Sequence, residues 1–258
     1  MSRINYKVLP SMTNNNKFSS HPKDSRYLMY GKHAVLAALG NKERRIVNIF
    51  CTEEIFKLNQ KLIGYYEYKI VDKNFFTKTL GVNAVHQGIA ATVETIFLND
   101  INDVDISKNN CKIAILDQVT DPQNIGSIIR SAASFEIDII IVPSDNTPSE
   151  NATMAKAASG SLEFVTIVKV VNIKHTIEYL KKQGFWIIGL DSGSTEFLTK
   201  ELLTNKIVIA LGSEDAGLRR LTKEACDYLV KIPMSKQIES LNVSNAASIA
   251  FYLSMQTK

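Results

Sequence analysis

Apolar positions in the second half of the chain follow two alternating periods. Short runs rich in Ile, Val and Leu read as strands at Lys112–Leu116, Asp138–Val142, Phe164–Val168, Phe185–Leu190, Ile207–Leu211 and Tyr228–Ile232. Between and after them, apolar residues recur at helical spacing, which predicts helices at Ile125–Phe135, Ser149–Ser159, Ile173–Gln183, Leu218–Ala225 and Val243–Met255. In the last of these Val243, Ala246, Ala247, Ala250 and Phe251 form the buried face. Apolar strands separated by helical patterns imply an α/β fold, a parallel sheet with helices on both faces. Ligands of such sheets sit beyond the carboxyl ends of the strands.

A smaller α/β unit precedes it. From Tyr27 the pattern predicts a helix over Lys32–Leu39 between Gly31 and Gly40, then a strand at Ile46–Cys51. Helices follow at Glu53–Ile63 and Asn74–Leu80, and Gly88 opens a strand at Ile89–Glu94. The expected organisation is a flexible tail at 1–26, a small domain at 27–96, a linker at 97–110 rich in Asn and Asp, and a main domain at 111–258. The chain has no internal repeat.

Composition narrows the function classes. With 258 residues, 45% hydrophobic and 22% charged, the chain can bury a sizeable core. No apolar run approaches the roughly 20 residues needed to span a bilayer, and the polar N-terminus lacks a signal-peptide core. No membrane association is expected, and a cytoplasmic location is. Cys51, Cys111 and Cys226 form no C-x-x-C pair, which fits a reduced compartment. His21, His33, His86 and His175 have no metal-ligand spacing, so no metal is expected. The net charge of +4 is uneven. Residues 1–100 hold 14 Lys+Arg against 8 Asp+Glu, a balance of +6, and the rest 16 against 18, a balance of −2. A basic first part beside a near-neutral second part suits a polyanion-binding module, or a solvated basic face.

Three segments, each at a strand end, carry candidate chemistry. After Lys112–Leu116 comes Thr120-Asp-Pro-Gln-Asn124-Ile-Gly-Ser-Ile-Ile-Arg130-Ser-Ala. Asn124 can cap the helix or hydrogen-bond a ligand, and Arg130, off the apolar stripe, can fork onto phosphate or ribose oxygens or lie idle at the surface. After Ile207–Leu211 comes Gly212-Ser-Glu214-Asp-Ala-Gly217, where glycines five apart allow a tight loop with backbone N–H groups facing a ligand. It is neither a Walker loop nor a G-x-G-x-x-G, and its two carboxylates favour a zwitterionic or cationic ligand over a phosphate. The run Gly189-Leu-Asp-Ser-Gly193-Ser has the wrong spacing for a dinucleotide loop and reads as a plain β–loop connection. The third segment is Ile232-Pro-Met…Ser240-Leu-Asn242-Val-Ser, where Ser240 and Asn242 precede a helix whose first turn is built from small residues. An ordinary capped helix reads the same way.

Taken together and in this order, the three segments resemble those of the SpoU (TrmH-like) family of SPOUT-class RNA 2′-O-ribose methyltransferases, over essentially all of 111–258. Residues 27–96, with His86-Gln87-Gly88-Ile89, resemble that family's small RNA substrate-binding domain. The resemblance implies a C-terminal trefoil knot, a rare exception to unthreaded chain paths, and S-adenosyl-L-methionine as cofactor. It implies cofactor contacts at Leu211, Gly212, Gly217, Ile232, Met234 and Leu241, and a catalytic set of Asn124, Arg130, Glu214, Ser240 and Asn242. It implies a homodimer that brings the first segment close to the partner's cofactor. Asp215 stands where many members carry Gly.

For Arg130 the family offers a base role, whereas a guanidinium that stays charged can instead pin phosphate and stabilise a developing alkoxide. Glu214 can hold Arg130, stabilise its loop, or accept the proton, directly or through water. The 2′-OH distinguishes RNA from DNA, so an RNA partner and no DNA are expected. The implied substrate is a guanosine of 23S ribosomal RNA. A tRNA ribose methyltransferase and a non-catalytic RNA-binding assembly factor are the alternatives.

Overall fold

The computed structural model describes residues 26–235 and 237–256. Residues 1–25, expected as a flexible tail and including His21, lie outside them. The contacts divide the chain into two compact units at Thr95/Ile96.

In the first unit β1 (Arg26–Tyr30) leads through Gly31 into α1 (Lys32–Gly40). Then follow β2 (Ile46–Cys51), α2 (Glu53–Ile63), β3 (Tyr68–Ile70), α3 (Lys73–Leu80) and β4 (Ile89–Glu94). The sheet order is β1-β4-β2-β3, with β4 antiparallel to both its neighbours and β3 parallel to β2. Central β4 buries Ile89, Ala90, Ala91 and Val93, and Met29, Val35, Ile49, Ile63 and Phe76 complete the core. Thr52 and Asp72 cap α2 and α3 by accepting from Ile55 N and Phe75 N. Two strands escape the hydrophobic pattern. β3 is a three-residue edge strand with every residue exposed. β1 starts inside the expected tail, because Arg26 pairs with Glu94 across the ladder, Nη2 to Oε1 at 2.9 Å.

The second unit contains β5 (Cys111–Asp117), α4 (Pro122–Ser134), β6 (Ile139–Pro143), α5 (Ala152–Ala158), β7 (Thr166–Val170) and α6 (Ile173–Lys182). It continues with β8 (Trp186–Leu190), β9 (Lys206–Gly212), α7 (Arg220–Ala225), β10 (Tyr228–Val230) and α8 (Val243–Met255). All six strands are parallel, in the order β10-β8-β9-β5-β6-β7. The chain runs from β5 outward to β7, then crosses to build the other half. The strand order therefore reverses between β5 and β9, whose carboxyl ends pair Asp117 with Gly212. That is the switch point where an open parallel sheet leaves a crevice.

Alternate residues of each strand face opposite layers. Ile113, Ile115, Ile141, Val208 and Ala210 pack with Ile173, Ile177 and Leu180 of α6. On the other side α4 lies between α5 and α8, and α8 also packs on β9. Lys112, almost fully buried, donates its Nζ to the Ser254 carbonyl in the last turn of α8. The segment 97–110, expected as a linker, is part of this unit. Phe97, Ile101 and Ile106 are buried, Leu98 bridges Val168, and Ile96 N donates to buried Glu150 at 2.9 Å.

Three boundaries move for identifiable reasons. The strand expected at Phe164 begins at Thr166, since Phe164 ends a 3-10 turn in solvent. The helix expected from Ser149 begins at Ala152, where Asn151 caps Met154 N. The helix expected from Leu218 begins at Arg220, because Arg219 is held extended (φ −61°, ψ 150°).

Gly126 sets the distance between α4 and α5. A Cβ there would lie 2.4 Å from the Met154 carbonyl and 2.7 Å from Ala157 Cβ. Gly to Ala in an open helix interior stabilises by about 1 kcal/mol, but here overpacking opposes it at about 1–3 kcal/mol. Gly126→Ala is therefore expected to lower the melting temperature. Thermal unfolding followed by circular dichroism checks the sign.

Candidate functional site

A cavity of about 210 Å³ opens beyond the carboxyl ends of β8, β9 and β10, beside the switch point, lined by four separate segments of the chain. One wall is Leu211 with the Gly212–Gly217 loop. This loop closes on itself. Ser213 N donates to Gly217 O at 3.2 Å and Gly217 N to Ser213 O at 3.0 Å. Gly217 sits at φ +65°, a conformation in which glycine bears no steric cost. Gly212 has no room for a side chain, since a Cβ would lie 2.0 Å from the Gly217 carbonyl carbon. Asp215 is an exposed residue of the loop, and positive φ within the loop falls on Gly217 alone, so an Asp fits there without strain.

Opposite lie Ile232, Met234, Ser240 and Leu241, with Val243 and Ala246 of α8 below. All six residues expected at the cofactor, Leu211, Gly212, Gly217, Ile232, Met234 and Leu241, thus line one cavity.

The catalytic candidates divide. Asp121, not Asn124, caps α4, accepting from Gln123 N and Asn124 N at 3.1 Å each. That frees the Asn124 side chain, whose Nδ2 donates to Glu214 Oε1 at 2.7 Å. Asn242 Nδ2 donates to the same oxygen at 2.6 Å and to Asn124 Oδ1 at 3.1 Å. Asn242 also caps α8, its Oδ1 accepting from Ser244 N at 2.9 Å. One carboxylate oxygen therefore ties together the three segments singled out in the sequence. No hydrogen bond to Glu214 Oε2 from a described residue is present. Ser240 is exposed at the cavity wall.

Arg130 is not part of this cluster. It is exposed on α4, does not line the cavity, and its guanidinium makes no hydrogen bond or ion pair with a described residue. At the next residue α4 joins α8 through Ser131 Oγ and Ser248 Oγ at 2.7 Å, and Phe135 meets Tyr252 edge to face.

Sequence reasoning missed one wall. Leu190, Asp191 and Ser192 also line the cavity, so the Gly189–Ser194 run is more than a plain connection. Its location follows from β8 lying beside β9, a neighbour relation that strand order along the chain does not reveal. Asp191 Oδ2 accepts from Lys223 Nζ at 2.9 Å. The lining is acidic, with Asp191, Glu214 and Asp215 against Lys231, whose ammonium lies 5.2 Å from the centre of the Phe197 ring. Among the described residues, no group of three or more His, Cys, Asp or Glu side chains gathers to hold a metal ion.

Beneath the loop, Asp117 is fully buried at the end of β5. It accepts from Arg219 N at 3.1 Å, Arg219 Nε at 2.6 Å and Thr222 Oγ1 at 2.6 Å. This clasp holds the chain just after Gly217 to the centre of the sheet, and it is the reason α7 starts late.

Residues 112–252 match the family model described as the SpoU rRNA Methylase family. Residues 28–96 match the model for RNA 2′-O ribose methyltransferase substrate binding. The chain is 35% identical over 238 residues to the 23S rRNA (guanosine-2′-O-)-methyltransferase RlmB of Vibrio vulnificus, covering 88% of this chain and 96% of that protein. It is 37% identical over 243 residues to the enzyme of the same name from Coxiella burnetii, covering 87% and 93%. Its fold is similar to the crystal structure of the SpoU methyltransferase AviRb from Streptomyces viridochromogenes in complex with AdoMet. There the TM-score is 0.78 at 21% identity, over 90% of each chain.

Asp117→Ala leaves the Thr222 hydroxyl and the Arg219 amide without their acceptor in a buried place. The expected loss is about 3 kcal/mol of unfolding free energy in the second unit. Urea unfolding of the full chain, followed by the fluorescence of Trp186, measures it.

Proposed function

The chain belongs to the SpoU rRNA methylase family, and on that premise we propose that it methylates the ribose 2′-OH of a guanosine in 23S ribosomal RNA, with S-adenosyl-L-methionine as donor. The observation that carries this reading is the meeting of Asn124, Glu214 and Asn242 at the rim of the acidic cavity.

The cavity suits the donor on chemical grounds. S-adenosylmethionine carries an ammonium, a sulfonium and one carboxylate, a net positive charge, and no phosphate, which fits walls bearing three carboxylates and Lys231. Leu211, Ile232, Leu241 and Val243 offer the apolar surface an adenine needs, and Gly212 lets the loop wall fold back on itself, since a Cβ there would meet the Gly217 backbone. When bound, the donor supplies a methyl group activated on a positive sulfur. The protein's own task is to place the 2′-oxygen and take its proton. Two amides fix Glu214 through Oε1, so Oε2 is the atom that receives the 2′-OH proton, directly or through one water. Ser240 orients the ribose from the opposite wall.

Arg130 serves the partner's site in a homodimer. Its side chain has no task within its own protomer. On α8, which packs against α4, Ile249 and Tyr252 are exposed, and together they offer apolar surface of the kind that a second copy covers. As a fixed positive charge Arg130 pins the RNA phosphate and stabilises the developing alkoxide. The chain returns from edge strand β10 to α8, against central β9, and a C-terminal trefoil knot is proposed there. The basic first unit grips the surrounding RNA. Action on ribosomal RNA places the protein in the cytoplasm, and among the described residues no helix is long and apolar enough to cross a membrane.

The test is methyl transfer from labelled S-adenosylmethionine to undermodified 23S RNA, 16S RNA and tRNA. The expected result is label in 23S RNA at one position that resists alkaline cleavage. Arg130→Ala is expected to lower kcat by about 100-fold or more while donor affinity stays within about twofold, and Glu214→Gln to lower kcat as far while also weakening donor binding, since it removes one of the cavity's carboxylates. Mixing the two inactive variants restores activity if Arg130 acts across the dimer. Label in tRNA alone favours the tRNA enzyme, and absence of both label and donor binding sinks the enzymatic reading.

A further inference from the structure

A second concavity lies in the same unit, outside the cavity described above. It is a groove of about 400 Å³ between the start of α6 and the start of α7, lined by residues 171–174 and 219–222. This volume falls in the range of roughly 300–1,000 Å³ typical of small-ligand sites.

Its chemistry is one-sided. Lys174, Arg219 and Arg220 line it, and no carboxylate does. Lys174 and Arg220 reach Glu178 and Glu224 on their own helices, but these are exposed i,i+4 pairs of small net strength, easily exchanged for a better anion. Arg219 differs. Its Nε is committed to Asp117, which fixes the guanidinium in place while its side chain remains 48% exposed. The ten-residue α6 directs its N-terminal dipole to the same side. Apolar Val171 and Leu221 are both exposed at the groove, the first 89% so. Three clustered cations without a carboxylate in the lining suit a chain of phosphates.

We propose that this groove binds the phosphate backbone of the substrate RNA, as a contact of the second unit separate from the reacting nucleotide. The proposal rests on the RNA-methylating function given above and extends it. Arg219 lies two residues beyond Gly217 and is bonded to the end of β5. An RNA phosphate on Arg219 therefore bears directly on the clasp beneath the cofactor loop.

The experiment compares the full-length wild type with the double variant Lys174→Ala/Arg220→Ala. Arg219 is left intact so that Asp117 keeps its partner. The readouts are affinity for an undermodified 23S RNA fragment across a salt series, steady-state methylation, and calorimetric binding of S-adenosylmethionine. The expected result is a KM for RNA raised about tenfold with kcat within about twofold, and a log–log salt slope reduced in magnitude by about 1–2. Donor affinity is expected to be unchanged, which also verifies folding. The charge-preserving Lys174→Arg/Arg220→Lys is expected to retain wild-type affinity.

Unchanged RNA affinity and salt slope in the double variant overturn the proposal. Inorganic phosphate that binds the wild type but not the double variant, with RNA binding equal in both, assigns the groove to a free anion and also overturns it. A wild type that binds the donor but neither binds nor methylates any RNA refutes the functional reading itself, and the groove proposal falls with it.

Discussion

The fully buried Asp117 carboxylate is the constraint on which the site depends. It terminates β5, the strand beside which the sheet reverses its order, and it binds the chain that leaves the Gly212–Gly217 loop. A buried carboxylate is tolerated only when its oxygens are well paired, and here a guanidinium, a hydroxyl and a backbone N–H provide that pairing. The consequence is geometric. The loop cannot swing away from the sheet, because both its ends are anchored: one in the β5–β9 ladder, the other in the clasp.

On this base the loop can be small and tight. Gly212 has no room even for a methyl group, and Gly217 takes a backbone conformation that other residues resist. Glu214 is thereby lifted to a point where Asn124 and Asn242 both reach one of its oxygens. Each asparagine arrives from the start of a different helix, and each helix start is fixed by its own cap, Asp121 for α4 and Asn242 itself for α8. The polar cluster is thus held by backbone geometry at three strand ends. Rigid placement of this kind is what proton transfer from a hydroxyl requires.

Local signals carried much of this. The helix at Glu53–Ile63 and that at Val243–Met255 were legible to the residue, because each combines a strong cap with apolar spacing. β1 and β3 were not. β3 is short, exposed and without alternation, and β1 is defined by its pairing with β4 and the Arg26–Glu94 contact, both distant in sequence. The segment 97–110 has a loop's composition, yet its scattered Phe97, Ile101 and Ile106 are buried against the sheet, where too few apolar residues stand too irregularly to show a period.

The sequence by itself determined the alternation of strand and helix, the three segments that converge, and the residue types suited to a cationic donor. These are properties of neighbouring residues, and spacing along the chain records them. The tertiary structure decided which oxygen of Glu214 is held, that Asn124 is released from capping by Asp121, that Arg130 stands outside its own protomer's cavity, and that Leu190, Asp191 and Ser192 form a wall of it. The physical reason is the sheet order. β9 inserts between β8 and β5, which brings together residues about 20 to 120 positions apart, and no periodicity along the chain encodes that adjacency.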